Sequence, residues 1–149
     1  MKNTSLLIGR RTVLQMPVLL AAAASPAAFA GTTASAKDAY LYFITPYDGQ
    51  RLRGAFLCRF GLRNMGVAPA GVTTANTGHH HLLIDVDEPL NTAVAITADK
   101  KHVHFGAGQT ETRLELPRGR HTLQLVLGDS LHMPFDPPVV SHKISITVL

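Results

Sequence analysis

Residues 56 to 62 read Phe56-Leu57-Cys58-Arg59-Phe60-Gly61-Leu62, with an apolar side chain at every second position. Because successive side chains of a strand point to opposite faces, this period of two predicts a strand with one buried face. The same alternation recurs in residues 81–87, 112–116, 121–127 and 144–148. No segment has a convincing period of 3.6 residues, so the chain is predicted to be all-β.

Turn-forming stretches separate most of these segments, because proline presets φ and glycine accepts positive φ. They are Pro46-Tyr47-Asp48-Gly49, Pro117-Arg118-Gly119 and Gly128-Asp129. Further strands are predicted at residues 40–45, 93–97 and 103–105. About seven strands with turns between them favour an antiparallel immunoglobulin-like sandwich, with a small barrel as the alternative.

The first 30 residues have the organisation of a secretory signal peptide. A basic start containing Arg10-Arg11 precedes an apolar run, and Ala28-Phe29-Ala30 has the pattern of a cleavage site. The paired arginines also resemble a twin-arginine signal, which leaves both export routes open. We therefore expect a signal peptide at 1–30, a flexible lead-in at 31–38 and a single β-sandwich domain at 39–149. The mature protein is expected to be periplasmic or secreted, without a transmembrane segment.

The charge of the mature chain argues against nucleic acid as a partner. The whole chain has 14 basic and 10 acidic residues, and residues 1–30 hold three of the basic ones. The mature part is therefore 11 minus 10, or +1, with no basic patch of the kind that nucleic acid requires. Cys58 is the single cysteine, so no intramolecular disulfide can support the fold.

All eight histidines lie between His79 and His142. If the strand period holds through His79-His80-His81, His79 and His81 share the face opposite to His80. His102 and His104 form a second pair of the same spacing. Two such pairs on neighbouring strands would supply four imidazole nitrogens, the commonest protein ligands for transition metals. The spacing therefore predicts a copper or zinc site.

Further side chains could complete or support this site. His121 and His132 are candidate ligands in addition to the two pairs. Residues that could support the ligands are His80, Asp85, Gln109, Asp129 and Met133. The alternative interpretation is that each histidine lies at the edge of the core and bonds to a carbonyl or a carboxylate nearby, because buried polar groups need partners.

Motifs of common enzyme classes are missing from the sequence. Gly106-Ala107-Gly108 is not followed by the lysine and hydroxyl residue of a phosphate-binding loop. Ser130 and Ser141 lie near histidines, but neither is in a nucleophile elbow. The sequence thus favours a protein that is not an enzyme, and leaves the question open.

Long stretches of the chain resemble an uncharacterised bacterial family, domain of unknown function 4399. The resemblance lies in Gly78–Asp85, in His104–Glu111, in His121–Asp129, and in His132 with Pro137-Pro138. It covers the chain from Gly66 to the C-terminus, and Pro46-Tyr47-Asp48-Gly49 fits the family's start. It implies a secreted β-domain and brings no established reaction. It also implies a site that includes His79 to His81, His104, Gln109, His121, Asp129 and His132.

Three functions remain open on this sequence. The first is a periplasmic histidine-rich protein that binds copper or zinc for storage, delivery or detoxification, with another periplasmic protein as a candidate partner. The second is an immunoglobulin-like module without metal, which grips an envelope polymer or a protein through the irregular loop 64–78. The third is a copper-dependent redox enzyme.

Overall fold

The computed structural model describes residues 32–149, so the predicted signal peptide at 1–30 lies outside the described residues. The described part of the chain contains nine strands. They are β1 (Tyr40–Thr45), β2 (Arg51–Leu52), β3 (Phe56–Arg63), β4 (Gly66–Val67), β5 (Thr77–Ile84), β6 (His102–His104), β7 (Glu111–Leu114), β8 (Gly119–Gly128) and β9 (Ile144–Val148). Within residues 32–149 we find no helix with the length and hydrophobicity needed to cross a membrane.

The strands form two sheets. The smaller sheet has the antiparallel order β1-β3-β7. The larger sheet has the order β2-β9-β8-β5-β4, and β6 pairs with β5 as well. Its pairings are antiparallel except for the short parallel contacts of β2 with β9 and of β4 with β5. Strand β5 is thus paired on both sides, which places its side chains in the middle of the larger sheet.

The two sheets face each other across one apolar core. Phe56, Cys58 and Phe60 of β3 contribute from the smaller sheet, and Leu82 of β5 and Leu125 of β8 contribute from the larger one. These side chains are the alternating positions identified in the sequence. The predicted all-β sandwich is confirmed, and Cys58 is fully buried within it.

Two predicted strands differ from the structure. The strand expected at 81–87 runs from Thr77 to Ile84, because the backbone turns at Asp85, which has a φ of 53°. Residues 93–97 were expected to form an edge strand and form none. The backbone nitrogen of Ile96 donates instead to the carbonyl of His132 at 2.9 Å, so this segment bonds to a turn and not to a strand.

Candidate metal centre

The three consecutive histidines of β5 point alternately to the two faces of the larger sheet. His80 shares the phase of Leu82 and points into the core, where its ring lies 5.2 Å from that of Phe60. His79 and His81 point to the outer face, yet both are completely buried. The turn at residues 129–133 covers them and brings His132 against both rings.

Four imidazoles meet on this outer face. His81 and His104 are register partners on β5 and β6, so their side chains emerge together, while His132 approaches from the turn. The ring centroids of His79, His81, His104 and His132 are separated pairwise by 4.8, 5.0, 4.9, 5.1, 5.8 and 4.8 Å. Four points whose six separations are nearly equal form a tetrahedron. We call these four residues the imidazole cluster.

A flat arrangement does not fit these distances. In a square with sides of 4.8 Å, the two diagonals would be roughly 6.8 Å, whereas the longest separation is 5.8 Å, between His81 and His132. One ring nitrogen from each of His79, His81 and His104 lies within 4.8 Å of one from each of the others. A tetrahedral zinc ion holds its nitrogens about 3.4 Å apart at ordinary bond lengths. The widest pair would therefore have to close by about 1.4 Å at most.

Most ring nitrogens of three cluster members are buried without a protein partner. Both nitrogens of His79 and of His81 are buried without a hydrogen bond, and so is Nε2 of His104. A buried polar group without a partner costs free energy, so native proteins contain few of them. Where one occurs, an ion, an ordered water or a functional role usually accounts for it. Because each ring can give one nitrogen to the same ion, a metal ion would satisfy three of these five nitrogens, one each from His79, His81 and His104.

The surroundings of His79, His81 and His104 lower the pKa of each imidazole and so favour its neutral form. Burial, followed by the neighbouring imidazoles, lowers the pKa of His79 to about 4 and that of His81 to about 3. Burial and the proximity of His132 also lower the pKa of His104. A metal ion binds imidazole only in its neutral form. At neutral pH these three residues are therefore ready to act as ligands.

Asp129 shapes the turn that carries His132. Its Oδ1 accepts hydrogen bonds from the backbone nitrogens of Leu131 and Met133, at 2.8 and 2.9 Å. The backbone nitrogen of Asp129 donates to the carbonyl of Met133, and that of His132 donates to the carbonyl of Asp129. Within this turn His132 has a φ of 66°, an uncommon conformation for a residue other than glycine. The carboxylate thus holds His132 in a conformation that its backbone would not favour alone.

Two glycines leave room for the rings. At Gly128, a Cβ atom would lie 2.7 Å from Cε1 and 3.1 Å from Nδ1 of His81. At Gly106, a Cβ atom would overlap the ring of His104. Neither glycine has a positive φ, so both positions exclude side chains for reasons of space and not of backbone conformation.

Two of the candidate ligands lie outside the cluster and have carboxylate partners. His102 on β6 is the register partner of Leu83 on β5, and its Nδ1 is 2.9 Å from Oδ1 of Asp99. His121 bonds through Nδ1 to Oδ2 of Asp85 at 2.7 Å, and through Nε2 to the carbonyl of Pro117 at 2.8 Å. Both ring nitrogens of His121 are thereby occupied.

The supporting candidates have different surroundings. Asp129 organises the turn, as described above, and Met133 takes part in that turn through its backbone. Gln109 accepts a hydrogen bond from the backbone nitrogen of Ala107 through its side chain. Burial lowers the pKa of His80 to about 4, and the backbone carbonyl of Gln109 offsets part of this effect. His80 faces the core and does not join the cluster.

Comparison with known proteins identifies the family. Residues 58–149 match the family described as Domain of unknown function (DUF4399). The chain belongs to this DUF4399 family. The match includes every member of the imidazole cluster together with Asp129 and both glycines. No curated protein matches this DUF4399 chain.

The comparison with solved structures finds a partial likeness to one protein. It is the endo-beta-1,4-mannanase from Thermotoga petrophila, with 19% identity and a TM-score of 0.44. The similarity covers 76% of the DUF4399 chain and 20% of the mannanase chain. A likeness this weak carries no argument about function.

Proposed function

We propose that this protein binds one zinc or copper ion in the imidazole cluster and acts in storage, delivery or detoxification of that metal. The observation that carries the proposal is the tetrahedral meeting of four imidazole rings, three of which, those of His79, His81 and His104, have buried nitrogens without a protein partner. The signal-peptide pattern at residues 1–30 supports action in the periplasm or outside the cell.

The tetrahedral arrangement favours zinc. Zinc has no geometric preference from its d electrons and is usually four-coordinate and tetrahedral, whereas Cu(II) prefers a flatter set of nitrogens. Copper has the higher affinity for nitrogen sites in general, so it competes whenever it is available. We therefore expect zinc to match the unstrained cluster, and Cu(II) to bind only with a shift of the rings.

Ring nitrogens of His79, His81 and His104 already group together, and the adjacent His132 ring would supply a fourth ligand by moving closer, which favours binding over catalysis. A catalytic zinc site usually has three protein ligands and an open position, while a site with four protein ligands is closed. His79 and His81 are fully buried, and His104 and His132 are partly exposed. An ion would therefore enter and leave on the side of His104 and His132, which is compatible with storage or transfer.

A zinc titration of the mature chain, stripped with a chelator, tests the proposal. We expect one ion per chain, bound more tightly than by a peptide of similar histidine content. His79→Ala and His104→Ala should each weaken binding by at least tenfold, because each removes a ligand. His102→Ala is the matched control, since His102 belongs to the same strand as His104 and bonds to Asp99. Wild-type binding no stronger than the peptide would overturn the proposal.

A cavity beside the cluster favours the second candidate, a binding module without metal. Its volume is about 400 Å³, within the range of ligand pockets, and it lies between the end of β5 and the segment 86–97. Leu83, Val86 and Ile96 give it an apolar lining. If the zinc titration fails, retention of an envelope partner by the His79→Ala variant would support this candidate.

A further inference from the structure

The residues that precede β1 are tied to the corner that carries His132. The backbone nitrogen of Ser35 donates to the carbonyl of Asp136 at 3.0 Å, and the nitrogen of Asp136 donates to the carbonyl of Thr33 at 2.9 Å. Ala34 and Asp136 form an isolated parallel bridge between these bonds. We call residues 33–35 the N-terminal strap. The sequence suggested that this segment is a flexible lead-in, but the strap is bonded to the domain.

The side chain of Thr33 adds a contact to the turn itself. Its Oγ1 donates to Oδ2 of Asp129 at 2.6 Å. The other oxygen of that carboxylate already accepts from the backbone nitrogens of Leu131 and Met133, the two neighbours of His132. Asp129 is only 6% exposed, so a protein partner for Oδ2 replaces water that it has largely lost.

We infer that the N-terminal strap positions His132 as the fourth ligand of the metal centre, with Thr33 acting through Asp129. This inference rests on the proposed metal-binding function. His79, His81 and His104 are fixed by paired strands, whereas His132 depends on a turn with an unfavourable φ. Without the Thr33 hydroxyl, the carboxylate is held through Oδ1 alone, so the turn is less firmly fixed and the His132 ring can move away from the other three imidazoles. The strap lies outside residues 58–149, the part that matches the family.

Cobalt(II) and zinc binding by the mature chain can test this role. Thr33→Val removes the hydroxyl and keeps the shape, Thr33→Ser keeps the hydroxyl, and Thr32→Val is a control at the exposed neighbouring threonine. In wild type, bound cobalt should give the intense visible absorption of a tetrahedral site. Thr33→Val should shift the cobalt bands in the same direction as His132→Ala, because water would replace the fourth imidazole, and should bind zinc roughly 10-fold to 100-fold more weakly. Thr33→Ser and Thr32→Val should behave like wild type.

The outcomes separate this inference from the proposed function. If Thr33→Val keeps both the wild-type cobalt spectrum and the wild-type zinc affinity, the strap has no positioning role. If Thr33→Ser behaves like Thr33→Val, the hydroxyl is not the group responsible, and the inference is overturned as well. If wild type itself binds neither cobalt nor zinc, the proposed function fails first.

Discussion

The imidazole of His81 lies in the space that a side chain at position 128 would need, because Gly128 faces it from the adjacent strand β8. A Cβ atom on Gly128 would lie 2.7 Å from Cε1 of His81 and 3.4 Å from the Cα of His132. One glycine thus permits two members of the imidazole cluster to approach each other. A methyl group at position 128 should therefore disturb the cluster through steric overlap alone.

Gly128→Ala should weaken zinc binding roughly 10-fold to 100-fold, because the added methyl group displaces the His81 ring. Overpacking should also lower the free energy of unfolding by about 1–3 kcal/mol. Gly61→Ala is the control, since its methyl group would meet the ring of Tyr42, far from the cluster. Titration and chemical denaturation measure the two effects. Equal zinc affinity in Gly128→Ala and wild type would contradict the placement of His81.

The metal-free protein should lose stability as the pH falls from about 6.5 to about 4. Burial lowers the pKa of both His79 and His80 from 6.5 to about 4, so the unfolded chain takes up protons in this range and the folded chain does not. Each such histidine contributes a slope of up to about 1.4 kcal/mol per pH unit. Denaturant titrations of the stripped protein at several pH values measure this slope. A flat profile between pH 6.5 and pH 4 would contradict the burial of neutral imidazoles.

Replacement of His80 by leucine should stabilise the protein without affecting metal binding. His80 is fully buried in the core, its ring nitrogens have no well-formed hydrogen bond, and the Gln109 carbonyl offsets burial only in part, so an apolar side chain removes a desolvation cost of about 1–3 kcal/mol. The same change at His81 removes a ligand and should weaken zinc binding by at least tenfold. Unfolding curves and zinc titrations of both variants provide the comparison. Loss of zinc affinity in His80→Leu would mean that His80 belongs to the site.

Asp85→Asn should lower the pKa of His121. Burial alone lowers this pKa, but the hydrogen bond with Asp85 and the Pro117 carbonyl outweigh burial and raise it above 6.5. Because the folded pKa is raised, the pair stabilises the protein fully below pH 6.5, and this contribution is lost as the pH rises through the folded pKa. An NMR titration of the His121 ring measures the shift. An unchanged pKa in Asp85→Asn would contradict the ion pair.

Strand alternation predicted most of the fold and part of the site. The period of two identified the buried faces of β3 and β8, and it placed His79 and His81 together on the face opposite to His80. It could not predict His132, because this residue lies in a turn and not on a strand. The family resemblance pointed to His132, while the spacing argument had grouped His102 with His104.

Long-range contacts set the rest of the site, and no local pattern reveals them. Thr33 and Asp129 are 96 residues apart in the sequence, and the threonine has no motif around it. In the sequence, Gly128 resembles an ordinary strand end. Its contact with His81 depends on the register of β5 with β8. His121 alternates with Leu123 as expected, but it lies near the start of β8, whereas the cluster contacts Gly128 at the end of that strand.

X-ray absorption spectroscopy of the zinc-loaded mature protein tests the central claim most directly, because it counts the imidazole nitrogens around the ion. We expect four nitrogen ligands at about 2.0–2.1 Å with the outer-shell scattering of imidazole, and three such ligands in the His132→Ala variant. A zinc ion surrounded mainly by oxygen, or by fewer than three imidazoles in wild type, would contradict the proposed centre.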